Sequence, residues 1–149
     1  MIDAIDRAIL RALVADATLG SAAVGGLVGV SQPVAWRRMR RLADDGIVAG
    51  RRLDLDLEKL GLGVTVFLGI KLATRGHVAL PDVERAITAI PEVQTVEHVL
   101  GRYDYRLRVV ARDLGDFERL LRRRIMTLPG VGEVEANVLL SEERRPGPL

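Results

Sequence analysis

There is no cysteine in the 149 residues, which excludes disulfide staples, thiolate zinc sites and cysteine nucleophiles and fits a reducing compartment. No apolar run reaches the roughly 18 to 20 residues that carry a helix across a bilayer. Asp3 and Asp6 stand where a secretory signal would carry positive charge, so the expectation is a cytoplasmic protein with no membrane partner. Histidine is scarce: His77 is expected in a loop and His98 within an apolar strand. Neither belongs to a metal-ligand spacing, and the chain has no phosphate-binding glycine loop or G-x-S-x-G elbow. A lone strand histidine is more often packed than catalytic, so no metal, cofactor or enzymatic activity is expected.

Net charge is also small, +2 at pH 7, so any attraction to nucleic acid must come from where the charge lies. It lies unevenly. Between Ser31 and Arg52, Arg37, Arg38, Arg40, Arg41, Arg51 and Arg52 stand against Asp44 and Asp45, a local excess of +4 that leaves the remainder slightly acidic. The rest is ordinary for a folded chain, with 48% hydrophobic and 28% charged residues.

Ile2, Ile5, Ile9 and Leu13 recur at spacings of three and four, the period of an amphipathic helix. A second short helix is expected from Ser21, as its cap, to Gly29, loosened by Gly25 and Gly26 at about 1 kcal/mol each. Ser31 as N-cap, Pro33 in the first turn and the break at Gly46 frame a third helix. The segment from Ile47 to Leu53 then has the pattern of two short strands around a glycine, a wing.

Beyond the polar stretch 54–61 the pattern changes. Leu62 to Leu72 is a β-branched strand, Pro81 to Ile90 has helical spacing, Val93 to Leu100 and Tyr105 to Ala111 are strand-like, Phe117 to Leu128 is helical, and Val131 to Leu140 closes with a strand. The order β-α-β-β-α-β specifies a ferredoxin-like sandwich with two helices on one sheet face. The apolar side chains of the first strand imply that the other face is covered by a second subunit. The fold class is thus α+β, a winged helix-turn-helix over 1–54, a linker over 55–61, a sheet domain over 62–141 for ligand sensing and oligomerisation, and a disordered tail over 142–149.

On the third helix, at about 100° per residue, Ala35, Met39 and Leu42 face inward while Pro33, Arg37, Arg40 and Asp44 share the opposite side, with Gln32 and Trp36 at its margins. Arginine and glutamine read guanine and adenine bidentately in the major groove and also anchor phosphates. The expected DNA-contacting set is Ser31, Gln32, Pro33, Trp36, Arg37, Arg40 and Arg41, with Arg51 and Arg52 on the wing. For Arg38 and Arg41, on the flanks, salt bridges to first-helix acids such as Asp6 compete with phosphate contacts, and Trp36 either packs on the domain or touches DNA. The alternative is an arginine face that is merely solvated.

The segments Ile2 to Leu10, Val28 to Ser31, Arg37 to Leu42 and Gly46 to Gly50, followed by Gly101 to Tyr105 and Leu128 to Val131, together resemble the leucine-responsive and asparagine-regulator (Lrp/AsnC) family along the whole chain. The resemblance implies a transcription regulator of double-stranded DNA. In this family dimers pair through an AsnC-type sheet domain, often build octamers that wrap DNA, and frequently bind an amino acid near the turn corresponding to Gly101, Arg102, Tyr103 and Asp104. In such a turn glycine N–H groups suit a carboxylate, Asp104 an ammonium and Tyr103 a side-chain wall. The same four residues also make an ordinary hairpin turn. Arg102 stands where the family more often has a small, polar or acidic residue, which points to a ligand with an additional acidic group. Gly25, Gly26 and Thr18 are further departures. Other readings remain open at this level: a metabolite-binding or assembly module, an architectural DNA binder, and the tetrapyrrole decarboxylases that share the family's layout.

Overall fold

The structure, a computed structural model, describes residues 1–73, 79–145 and 147; His77 lies outside the described residues. The chain forms two compact units, divided between Asp54 and Leu55 and again between Glu142 and Glu143.

In the first unit, α1 (Ala4–Ala15) begins at Asp3, whose carboxylate accepts from the Asp6 N–H at 2.8 Å while the Asp6 carboxylate accepts from the Asp3 N–H at 3.1 Å. This reciprocal capping box satisfies two amides that the helix itself leaves open. The second helix, α2 (Ser21–Val28), is capped by Gly20 and not by Ser21, which is its first helical residue. It ends at Gly29 in the left-handed conformation, φ +81°. The third, α3 (Gln32–Asp44), starts after Ser31, whose side chain makes no capping bond. Ile9, Val24, Ala35 and Leu42 are fully buried between the three helices, and Ile5, Leu13, Met39 and Val48 pack around them.

Gly25 does not loosen α2. It is buried where the helix meets the turn into α3, and a Cβ there would lie 2.8 Å from the Val30 carbonyl oxygen, so only glycine allows this approach. Gly26 is the opposite case, exposed and with open space around a Cβ.

The expected wing strands do not form. From Ile47 to Leu53 the chain is irregular, held by the Val48 N–H on the Leu42 carbonyl at 3.0 Å and by the packing of Val48 on the small core. An isolated two-stranded ribbon is marginal in water, and every other residue of the segment is exposed. In the tail, Arg144 reaches Asp54 at 3.2 Å.

The second unit runs β1 (Val64–Leu72), α4 (Leu80–Thr88), β2 (Val93–His98), β3 (Tyr105–Ala111), α5 (Leu114–Leu120) and β4 (Val131–Val138), the βαββαβ order. Its sheet has the order β2-β3-β1-β4 with all neighbours antiparallel. The single helix expected over Phe117 to Leu128 is α5 extended by a π turn, Leu121–Ile125. Alternate residues of β1 (Val66, Leu68, Ile70, Leu72) and of β3 (Tyr105, Leu107, Val109) form one core with Val83 and Ile87 of α4 and Phe117, Leu120 and Ile125 from α5 and its π turn.

The opposite sheet face is not the apolar surface expected. The register places Phe67, Gly69 and Lys71 beside Arg108 and Arg106 of β3 and Asn137, Glu135 and Glu133 of β4. Arg106 pairs with Glu97 at 2.6 Å, and Arg108 lies over the Phe67 ring at 5.5 Å while bonding Glu142. The apolar residues of β1 are already spent on α4 and α5, so burial alone gives this face no need of a second subunit.

Candidate functional site

Two surfaces combine reactive polarity with built geometry, the outer face of α3 and a cavity beside the β2–β3 turn. On α3, Ser31, Gln32, Pro33, Trp36, Arg37 and Arg40 are exposed while Ala35 and Leu42 are buried, as the 3.6-residue period requires. The Arg40 guanidinium lies over the half-exposed Trp36 ring at 5.4 Å and 3.8 Å from Asp44. The Arg37 side chain has no hydrogen-bond or ion-pair partner among the described residues. Arg51 and Arg52 are also exposed and without side-chain partners among the described residues, carried on the irregular segment instead of a wing turn.

Arg38 and Arg41 have a different task. Arg38 bonds Asp3 at 2.6 Å and Asp6 at 2.9 Å, and Arg41 bonds Asp6 at 2.5 Å. The Asp6 carboxylate, only 1% exposed, therefore joins the start of α1 to the middle of α3. Burial opposes its ionisation, but the Asp3 N–H and the two guanidinium groups outweigh that and lower its pKa. Asp3 is held at about 2 by the Asp6 N–H and by Arg38. Of the helical arginines expected to touch DNA, Arg41 is thus the one already committed to the fold.

In the second unit, Gly101, Arg102 and Tyr103 border a cavity of about 200 Å3 with Phe67, Leu68, Gly69, Val99, Tyr105, Arg106 and Asn137. Tyr103 lies flat on Gly69, where a Cβ would come within 2.6 Å of the ring, so this glycine is required by close approach. The Tyr103 hydroxyl donates to Glu135, and the bond lowers the Glu135 pKa and raises that of Tyr103. Arg102 stacks on the Tyr103 ring at 5.1 Å and pairs with Glu133 at 2.8 Å. Asp104 is not part of the wall. Its N–H donates to the Ile70 carbonyl at 2.8 Å and its carboxylate accepts from the Leu72 N–H at 2.8 Å, tying the turn to β1.

A family model described as the AsnC-type helix-turn-helix domain matches residues 2–43, and one described as the Lrp/AsnC ligand binding domain matches residues 65–149. The chain belongs to the Lrp/AsnC family. Among its relatives, the DNA-binding transcriptional activator DecR of Escherichia coli (strain K12) is 33% identical over 142 residues, covering 95% of this chain and 93% of that protein. The Bkd operon transcriptional regulator of Pseudomonas aeruginosa is 33% identical over 135 residues, 91% of this chain and 88% of the other. A crystal structure of an AsnC family transcriptional regulator from Agrobacterium tumefaciens agrees with a TM-score of 0.87 at 31% identity, covering 99% of this chain and 95% of that one. The transcriptional regulator–L-Met complex from Neisseria meningitidis shares the fold with a TM-score of 0.90 at 24% identity, over 97% and 94% of the two chains.

This Lrp/AsnC protein is accordingly a DNA-binding transcriptional regulator, and the relatives named are transcriptional regulators too. No described helix is long and apolar enough to cross a membrane. Sequence reasoning missed Phe67, Gly69, Val99, Arg106 and Asn137 at the cavity, because they come from three strands and the turn after β2 and meet only once the register is known. It also missed the Asp3–Asp6 box, because the pattern sought at the third helical position is glutamate or glutamine.

Proposed function

We propose that this regulator reads operator DNA with Gln32, Trp36, Arg37 and Arg40 of α3, that Ser31 and Pro33 bring the start of the helix to the groove, and that Arg51 and Arg52 anchor phosphates. The observation that carries this is the division of labour along α3. Arg38 and Arg41 are engaged by Asp3 and Asp6, while Arg37 projects without a partner among the described residues. A guanidinium free of internal partners is the form suited to a bidentate contact with guanine. Arg41 belongs to the internal group first and to DNA only as a flanking charge. Paired copies of α3 would meet half-sites one helical turn apart, as a homodimer or a larger ring requires.

The effector in this reading is an amino acid with an uncharged side chain, bound in the turn cavity. Phe67, Leu68, Val99 and Tyr103 give it an apolar wall, and the exposed Gly101 leaves backbone amides for a carboxylate. Arg102 is occupied by Glu133 and Glu135, which argues against the acidic ligand expected from the sequence. The Neisseria relative's complex with L-Met is in keeping with this class. Ligand then acts by changing the balance of oligomers and so the path of the DNA.

Fluorescence anisotropy with DNA from upstream of the protein's own gene tests the reading, at several salt concentrations and beside random DNA. Arg37→Ala is expected to weaken specific binding by about 1–3 kcal/mol, roughly 5- to 150-fold. Equal loss on both DNAs would reduce Arg37 to a phosphate contact. An amino-acid screen by thermal shift, repeated with Tyr103→Ala, tests the cavity.

A further inference from the structure

The start of α1 and the middle of α3 hold four charges in one group. Arg38 donates to Asp3 at 2.6 Å and to Asp6 at 2.9 Å, and Arg41 donates to Asp6 at 2.5 Å. Bonds this short between opposite charges belong to the strong, charge-assisted class. The Asp6 carboxylate cannot follow either arginine outward. Its side chain is only 1% exposed, and it also accepts from the Asp3 N–H at 3.1 Å, which fixes it to the first turn of α1. To reach another anion, Arg38 or Arg41 must leave this buried carboxylate short of a donor, which is costly. Helix geometry alone does not turn these arginines away from the reading side. At about 100° per residue, Arg41 lies about 40° from Arg37 and one turn further on, and Arg38 lies about 100° from it. The Arg41 side chain also remains half-exposed.

Of the four guanidinium groups on α3, two are thus neutralised by the carboxylates at the start of α1. Arg37 has no internal partner among the described residues, and Arg40 has the Trp36 ring and the exposed Asp44 at 3.8 Å. Guanidinium groups bind phosphates in any sequence, and this term supplies nearly all of the affinity for nonspecific DNA. A specific complex has its register fixed by base contacts, whereas a nonspecific one settles wherever phosphates are met, so additional free arginines favour the nonspecific complex. We propose that Asp3 and Asp6 set the sequence discrimination of this regulator by withholding Arg38 and Arg41 from the DNA phosphates, an inference that rests on α3 being the helix that meets DNA. The two aspartates touch no DNA themselves. They act through the arginines, as positioning residues, and leave Arg37 and Arg40 as the α3 charges that engage the operator.

Fluorescence anisotropy of the full chain tests this, on DNA from upstream of its own gene and on random DNA across a salt series. The variants are Asp3→Asn/Asp6→Asn and the same pair combined with Arg38→Gln/Arg41→Gln, with Trp36 emission and the urea midpoint establishing that each is folded. Freeing the two arginines is expected to tighten binding to random DNA about tenfold at low salt and to steepen the log–log salt slope by about 1–2. The ratio of upstream to random affinity should fall by about threefold or more. Removing the arginines as well should return slope and ratio to those of the native chain. Loss of structure weakens binding to both DNAs and cannot produce such a gain. Asp3→Asn alone, at a half-exposed position, should move slope and ratio the same way by a smaller step, and it decides the matter where the double variant does not fold. The proposal is overturned if the ratio is unchanged in the folded aspartate variant. It is overturned equally if the four-residue variant has a shallower salt slope than the native chain, which would mean that Arg38 and Arg41 already contact DNA. Failure of the reading helix shows separately, as Arg37→Ala changing binding to neither DNA, and the role of the aspartates would fall with it.

Discussion

The two units solve the same problem of stability in different ways. Among the described residues, the sheet unit buries fourteen apolar side chains in one cluster, whereas the helical unit fully buries four. Each buried aliphatic side chain contributes about 1.5–3 kcal/mol, so the first unit can lose a contact and stay folded far more easily than the second. The helical unit compensates with polarity and geometry: a carboxylate shared by two arginines, a reciprocal cap, and a glycine pressed on a carbonyl. A small domain held this way is specific in its shape and sensitive to single changes. The sole tryptophan, Trp36, lies on α3, so its fluorescence follows the helical unit while circular dichroism follows both.

The largest effect is expected where burial is deepest. Leu68→Ala, in the centre of β1, should cost the sheet unit about 2–5 kcal/mol in a urea titration and leave the tryptophan transition in place. A concerted shift of both transitions would show that the units do not fold independently. Next comes Asp6→Ala, which removes half of the capping box and leaves Arg38 and Arg41 without their shared acceptor. It should cost about 2 kcal/mol in the tryptophan transition alone. Loss of DNA affinity larger than this cost would mean that the carboxylate also orients the reading face.

The two adjacent glycines sharpen the contrast further. Gly25→Ala should destabilise the helical unit by about 1–3 kcal/mol, because the Val30 carbonyl must move. Gly26→Ala should stabilise it by about 1 kcal/mol, since its Cβ meets nothing and helix propensity improves. Equal effects at both positions would break the claim that close approach, and not helix propensity, selects Gly25.

The smallest effect expected is that of acid. Asp3 and Asp6 are both ionised more readily in the folded unit than at their ordinary value of 3.8, so the unfolded chain takes up their protons first. Their contribution is complete at neutral pH and fades as pH falls from near 4 towards about 2, the value of Asp3. Urea midpoints by tryptophan fluorescence across that window should fall faster for the native chain than for Asp3→Asn/Asp6→Asn.

The order of elements was legible because apolar spacing changes from four and three to two at the strands, and the buried face of α3 was legible for the same reason. What escaped was whatever depends on contacts between distant segments. Gly25 reads as a weak helix former until the Val30 carbonyl is seen beneath it, and β1 reads as apolar on both faces until register sets Arg106, Arg108 and Glu135 around its outer one. Asp104 reads as a ligand group because the turn resembles the family's effector turn, where a carboxylate suits an ammonium; its partner, the Leu72 N–H, is 32 residues away. The wing failed for the converse reason, since a strand-like pattern without a ladder to join remains irregular.

That attachment of Asp104 has a mechanical consequence. The turn is bolted at two points to the end of β1, next to the place where β1 shifts register against β4. β1 is hydrogen-bonded to both β3 and β4, so a push on the turn is delivered to the middle of the sheet and not dissipated in a swinging flap. The hairpin behaves as the short arm of a lever whose long arm is the central strand.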